Sequence, residues 1–202
     1  MKCHVSYRRL VAMLLLAWMA CSSNLPATTV IPPDFSTLVD RAEMIVTGKV
    51  LSSRAEWANQ GGARCIVTTV DFEIQSTHKG QPLARVELRF LGGTVGGTTM
   101  EVQGVPKFKV GERSILFVEN NGRQFCPLVG IYHGKLLVAR DAGTGREILL
   151  QHHGRPLTDV KEIGAAESAV AIQAAGTPAR GPMSVAEFVG EIQNELARRR
   201  SR

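Results

Sequence analysis

Apolar and polar residues alternate over most of the middle of the chain. Within residues 65–76, Val70, Phe72 and Ile74 alternate with charged and amide side chains, and the same spacing recurs at 86–91. A period of two is typical of a strand with one buried face. The same criteria predict further strands at 44–51, 100–103, 114–119, 125–131, 135–140 and 146–150. We therefore expect a mostly β protein.

The turn at residues 104–111 precedes the strand that we expect to be central. Phe108 is an apolar residue inside this turn, and a run of strand-forming residues follows at Ser114–Val118. Two later turns predict hairpins. One is Asn120-Asn121-Gly122, because an Asn-Gly pair between apolar runs is the strongest short hairpin signal, and the other lies at 141–145.

Helical spacing of apolar residues occurs towards the two ends. Asp34 is placed to cap a short helix near the N-terminus. The apolar face of this helix is predicted to be Phe35, Leu38, Val39 and Ala42. Ser184 and Glu187 have the spacing of a capping box for a second, amphipathic helix. We expect this helix to dock on its own domain; the alternative is a partner or membrane surface that meets the basic residues 198–202.

The first segment of the chain has the features of a secretory signal. Lys2, Arg8 and Arg9 form a positive region, and an apolar stretch of export length follows to Ala20. Two interpretations of Cys21 stay open. Either Cys21 ends the discarded signal, or Ala20-Cys21 ends a bacterial lipobox and the protein is held at a membrane by a lipid on Cys21.

These features predict five regions along the chain. They are a signal peptide at 1–21, of ordinary or lipoprotein type, a linker at 22–33, a β-barrel domain at 34–163, a second linker at 164–182, and a C-terminal helix with a basic tail at 183–202. The protein is accordingly expected to be exported, and to be periplasmic, extracellular or lipid-anchored in the cell envelope.

Charge argues against a nucleic-acid partner. The formal net charge of the whole chain is +6, but the basic residues of the signal and of the C-terminal tail account for more than this, and the remaining body has a formal net charge of −1. A body without a basic excess lacks the usual electrostatic footprint for phosphate binding. No nucleic-acid binding is expected.

Cys65 and Cys126 are the two cysteines that lie beyond Cys21. In an oxidising compartment the default for such a pair is a disulfide, which we predict here. The alternative is two separate buried thiols.

Residue types that commonly carry chemistry are present but not in known catalytic patterns. We interpret His152-His153 as adjacent strand residues that point to opposite faces, which is poor geometry for a metal. The glycine-rich segment 92–97 lacks the Gly-Lys-Ser/Thr ending of a phosphate loop. No catalytic residue, metal ligand or cofactor is predicted. The candidate ligand contact is Trp57, in a loop that we expect at Trp57–Gly62.

Three short motifs together resemble the netrin/TIMP-like (NTR) family of OB-type barrels. They are Gly48-Lys49-Val50 at the end of a first strand, a long strand that leads to Lys79-Gly80, and the Phe108-x-x-Gly111 turn before a late strand. The resemblance covers about residues 40–128 and implies a small antiparallel barrel, closed or partly open. The Cys-x-Cys start of TIMP-type inhibitors is missing, because Ser22 and Ser23 follow Cys21. The chain also resembles exported bacterial proteins of unassigned role.

We therefore expect an exported, non-catalytic binding or interaction module with an unknown protein partner. The first alternative is a TIMP-like inhibitor of a secreted protease. The second is a hydrolase whose site is assembled from residues distant in sequence, which would require a cleft where His133 or His152 meets a carboxylate.

Overall fold

A computed structural model describes residues 32–165 and 181–201. Its helices are α1, Phe35–Arg41, and α2, Val185–Arg200. Its strands are β1 Met44–Gln60, β2 Ala63–Lys79, β3 Arg85–Leu91, β4 Gly93–Val95, β5 Thr98–Met100, β6 Arg113–Val118, β7 Lys135–Arg140 and β8 Glu147–Leu150. Two short 3-10 turns lie at Ile131–Gly134 and Val160–Glu162. The predicted signal, which includes Cys21, lies outside the described residues. Most of the predicted second linker lies outside them as well.

Six strands form one antiparallel sheet in the order β3-β2-β1-β6-β7-β8, and β4 and β5 form a separate two-stranded sheet. The predicted mostly β architecture, with a short helix near the N-terminus and a helix at the C-terminus, is confirmed. The expected central position of β6 is also confirmed, because β1 and β7 pair with its two edges. No closed barrel is detected among the residues that the structure describes.

The sheet buries both of its faces, which explains the apolar run in β6. Ile115 and Phe117 belong to a cluster that is covered by the two helices, and their neighbours Leu116 and Val118 belong to a second cluster on the opposite face. Successive side chains of a strand leave opposite faces, so a strand that is covered on both sides is apolar throughout. Phe108, from the turn before β6, packs against the second cluster.

The C-terminal helix docks on its own domain, as expected. Ser184 and Glu187 form the predicted capping box, and Phe188 and Ile192 are fully buried in the helix-covered cluster. The Phe188 ring lies 5.5 Å from that of Phe35, centroid to centroid, so the two terminal helices meet over the sheet. At the N-terminal helix the predicted cap is also present, because the Asp34 carboxylate accepts a 2.7 Å hydrogen bond from the Thr37 amide.

The prediction of a strand at 125–131 is wrong. This segment contributes one isolated bridge, between Leu128 and Val118, and continues into a 3-10 turn. Two physical reasons account for the difference. β7 pairs with the edge of β6 at residues 114–116 and leaves only its last residues for this segment, and Pro127 has no amide hydrogen to donate to a ladder.

The predicted loop at Trp57–Gly62 is also wrong for most of its length. β1 continues to Gln60, and only Gly61 and Gly62 turn the chain into β2. β1 pairs with β6 only from Met44 to Lys49, so its second half pairs with β2 alone among the six strands of the main sheet. We call the far end of this pair, residues 54–69, the projecting hairpin.

Candidate functional site

Trp57 lies on one face of the projecting hairpin, close to its tip. It is directly opposite Ile66 in the strand register, and Ala55 is opposite Thr68 on the same face. The Trp57 side chain is 40% exposed although it is the largest residue of the hairpin. The guanidinium carbon of Arg64 lies 4.3 Å from the centre of its ring, which is a cation–π contact. An aromatic ring is thus presented to solvent and held in one orientation.

The small β4–β5 hairpin packs against the same face, and a glycine makes this approach possible. Gly93 has a φ of +139°, a conformation that side chains rarely adopt. A Cβ atom at this position would lie 2.4 Å from the Thr68 hydroxyl oxygen and 3.0 Å from the Ala55 Cβ atom. The Thr68 hydroxyl donates a 2.6 Å hydrogen bond to the carbonyl of Gly92, which ties the two hairpins together. The glycine-rich segment therefore serves packing.

A groove of about 290 Å³ lies between the sheet and this small hairpin. We call it the hairpin groove. Its apolar wall includes Phe90, Phe108 and Met100, and hydroxyl groups of Thr68 and Thr99 also line it. An apolar cleft with a few polar groups is the usual character of a ligand site in a protein. The groove opens on the hairpin face that carries Trp57.

Lys135 holds the loop that forms the far wall of the groove. Its ammonium lies 2.7 Å from a Glu112 carboxylate oxygen, donates a 2.8 Å hydrogen bond to the carbonyl of Lys107, and sits 4.3 Å from the centre of the Phe108 ring. The side chains of Lys135 and Glu112 are only 13% and 14% exposed. A shielded ion pair with additional hydrogen bonding fixes position well. The contacts of Lys135 therefore fix this loop against the sheet.

The structure forms no disulfide between Cys65 and Cys126, and both are buried free thiols. Cys126 packs in the second cluster together with Val70 and Phe72. Cys65 precedes Val70 on β2 by an odd number of residues, with unbroken register between them, so its side chain leaves the opposite face of the sheet. The Cys65 sulfur instead points to the carbonyl of Ala58, at 3.6 Å. The two thiols therefore lie in different surroundings.

Three histidines and a tyrosine form a group that the sequence did not reveal. The ring of Tyr132 lies 4.3 Å from that of His133 and 4.1 Å from that of His152, and the His152 and His153 rings are 4.7 Å apart. His152 and His153 lie in a turn after β8, so the strand alternation that we assumed for them is wrong. Burial, followed by the nearby His152 and His153, lowers the pKa of His133 to about 4.

These rings do not amount to a metal site. Among residues 32–165 and 181–201, no group of three or more His, Cys, Asp or Glu side chains is placed to hold a metal ion. His133 is half-buried next to other rings. Because its pKa is lowered, its imidazole is uncharged at neutral pH.

No family model, no curated protein and no solved structure matches this sequence. Function must therefore be argued from the residues themselves. Within the described part of the chain, no helix is both long enough and apolar enough to cross a membrane.

Proposed function

We propose that the protein is an exported, non-catalytic interaction module that contacts a protein partner through the Trp57 face of the projecting hairpin. The observation that carries this proposal is the exposed indole of Trp57 beneath the Arg64 guanidinium, beside the hairpin groove. Tryptophan and arginine are the residue types most enriched among the side chains that dominate binding energy at protein interfaces.

Three further features support a role in binding. The hairpin extends past β6, so that a partner can reach the Trp57 face without meeting the body of the sheet. The ring and the guanidinium already contact each other, so ordering them costs little conformational entropy on binding. The hairpin groove, whose lining residues Ser53, Thr68 and Val70 lie on the same strand face as Trp57, is large enough for one apolar side chain of a partner.

The proposal includes the sequence-based expectations of fold family and location. We propose that the sheet is a partly open form of an OB/NTR-like barrel, on the strength of the short motifs at 48–50, 79–80 and 108–111 and of the irregular register of β1 with β2, which curves the pair. Export rests on the charged and apolar pattern of the first 21 residues.

Photo-cross-linking in the exporting cells tests the interaction. A benzophenone amino acid replaces Trp57 in one protein and Leu83 in a control; Leu83 is 46% exposed and lies beyond the other end of β2. We expect a discrete cross-linked protein from position 57 and none from position 83. Absence of a product at position 57, or equal products at both, contradicts the proposal. If the cross-linked protein is a secreted protease, the inhibitor alternative is favoured. An assay of the activity of that protease with and without this protein then decides between the two.

A further inference from the structure

A second pocket lies on the other side of the loop at residues 104–107 and plays no part in the proposed interaction. Its volume is about 330 Å³. Tyr132 and His152 line one part of it, Lys107 and Lys135 line another, and Leu137 and Leu150 complete its apolar surface. We call it the tyrosine pocket.

Two aromatic rings in the lining of the tyrosine pocket pack against each other. The ring centroids of Tyr132 and His152 are 4.1 Å apart, and the ring planes are inclined by 35°. His133 supports this pair from behind the lining, with its ring 4.3 Å from that of Tyr132. Because these two rings face each other, a planar molecule in the pocket can stack on the outer face of one ring and meets the edge of the other, and both contacts are favourable.

The backbone beneath Tyr132 is strained. Ile131 is a β-branched residue with a φ of +61°, a conformation that is a genuine outlier for such a side chain. The neighbouring loop also approaches closely, because a Cβ atom on Gly104 would lie 3.3 Å from the Ile131 Cγ2 atom and 3.5 Å from the Tyr132 ring. Strain of this kind persists where the surroundings enforce it, and it concentrates at functional sites.

The charges that line the tyrosine pocket favour an anion. Its charged or protonatable lining residues are Lys107, Lys135 and His152, together with the phenol of Tyr132, and no Asp or Glu lines it. A cleft lined by one sign of charge attracts ions of the opposite sign. Lys135 is already engaged by Glu112, so the ammonium of Lys107 is the group that can meet a ligand.

Lys107 can exchange its present partner at little cost. It forms a 2.8 Å ion pair with Glu101, but the two side chains are 86% and 69% exposed. Exposed pairs of this kind contribute close to nothing to stability in many proteins. Glu101 lines the hairpin groove and not the tyrosine pocket, so the exposed Lys107 side chain must turn away from Glu101 to meet a ligand in the tyrosine pocket, and that ligand would not meet the Glu101 carboxylate.

From these observations we propose that the tyrosine pocket binds a small planar carboxylate. The ring of the ligand packs against Tyr132 and His152, and its carboxylate accepts hydrogen bonds from the Lys107 ammonium. The pocket volume is at the lower end of the range for ligand sites, so one ring with a short acidic group fits best.

Titration of the full-length chain with benzoate, followed by NMR of the aromatic side chains, tests this proposal. Benzyl alcohol provides the same ring without charge, and acetate provides the charge without a ring. We expect benzoate to shift the ring signals of Tyr132 and His152 with a dissociation constant of about 1 mM or lower. Benzyl alcohol should bind at least about tenfold more weakly, and acetate should give no saturable shift. Equal binding of benzoate and benzyl alcohol, or no shift at these rings, overturns the proposal.

A matched pair of charge reversals separates a specific contact from a general effect of charge. Lys107→Glu should weaken benzoate binding about tenfold or more, whereas Lys109→Glu, at an exposed neighbour outside the pocket lining, should leave it within about twofold. Both substitutions are at exposed side chains, so both proteins should fold. Equal losses in the two variants would show non-specific attraction and would overturn the assignment. His152→Leu should also weaken benzoate and benzyl alcohol alike, since it removes one of the two rings that contact the ligand ring.

Discussion

His133 shows how a single buried ring can make the stability of this protein depend on pH. Burial, and then the charges of His152 and His153, lower the pKa of His133 to about 4. An unfolded chain binds a proton at this residue near pH 6.5. Between these two pH values the unfolded state therefore binds more protons than the folded state. The contribution of His133 to stability is present above pH 6.5 and is lost as the pH falls towards 4.

We predict that His133→Asn flattens this dependence. From pH 7 to pH 4.5, the native protein should lose about 1–2 kcal/mol of unfolding free energy more than the variant. This value is smaller than the full linkage effect because the ring is partly exposed and solvent reduces that effect. Urea denaturation at the two pH values measures the difference. An identical pH dependence of the two proteins would show that His133 is not the responsible group.

The features that the sequence predicts differ from those that it does not predict in how far apart their residues lie along the chain. Caps such as Asp34 and Ser184 act within three residues of their own position, so their pattern is visible in the chain. The group formed by Tyr132, His133 and His152 exists only because two distant turns meet, and nothing local encodes that meeting. The lowered pKa of His133 follows from the same long-range packing.

Among the elements, the β1–β2 hairpin departs most from its sequence pattern. Residues 57–60 have few apolar side chains, and the sequence places them in a loop at Trp57–Gly62. They form a strand because continuous pairing with β2, from Ser52–Asp71 to Gln60–Ala63, supplies backbone hydrogen bonds without burial. Local propensity is a weak guide where such pairing extends an established strand.

The C-terminal helix conforms to its pattern and supplies much of one core. Phe188→Ala should lower the unfolding free energy by about 3–5 kcal/mol, because Phe188 is fully buried and its ring meets those of Phe35 and Phe117. Asn194→Ala, at an exposed position of the same helix, should change it by less than about 0.5 kcal/mol. Urea denaturation of both variants checks this expectation. Comparable effects of the two substitutions would mean that the helix does not dock in solution.

At the scale of the whole molecule, the prediction of export concerns residues 1–21, outside the described part of the chain. The intact mass of the protein recovered from the envelope or the medium tests it. We predict loss of the signal, ending either in an ordinary new N-terminus or in a lipid on Cys21, and in both cases a mass well below 21.9 kDa, because the lipid adds less mass than the signal removes. Recovery of the unprocessed chain would contradict export.

The same mass measurement examines the two cysteines of the body. Since Cys65 and Cys126 are free in the structure, alkylation under denaturing conditions should add two groups to the body of the chain. Before denaturation Cys126 should react slowly, because burial raises its pKa to about 11. The disulfide expected from the sequence followed from compartment and number alone, and neither specifies where the fold places the two side chains.

A protein partner that binds over Trp57 must lose affinity when this side chain is removed, so the affinity of the partner identified by cross-linking at position 57 is the decisive measurement. Trp57→Ala should weaken binding about 30-fold or more, as expected of an interface tryptophan. Leu83→Ala, the matched exposed apolar control, should stay within about threefold, and both variants should unfold at similar urea concentrations. If Trp57→Ala weakens binding no more than Leu83→Ala does, the proposed interaction surface is wrong.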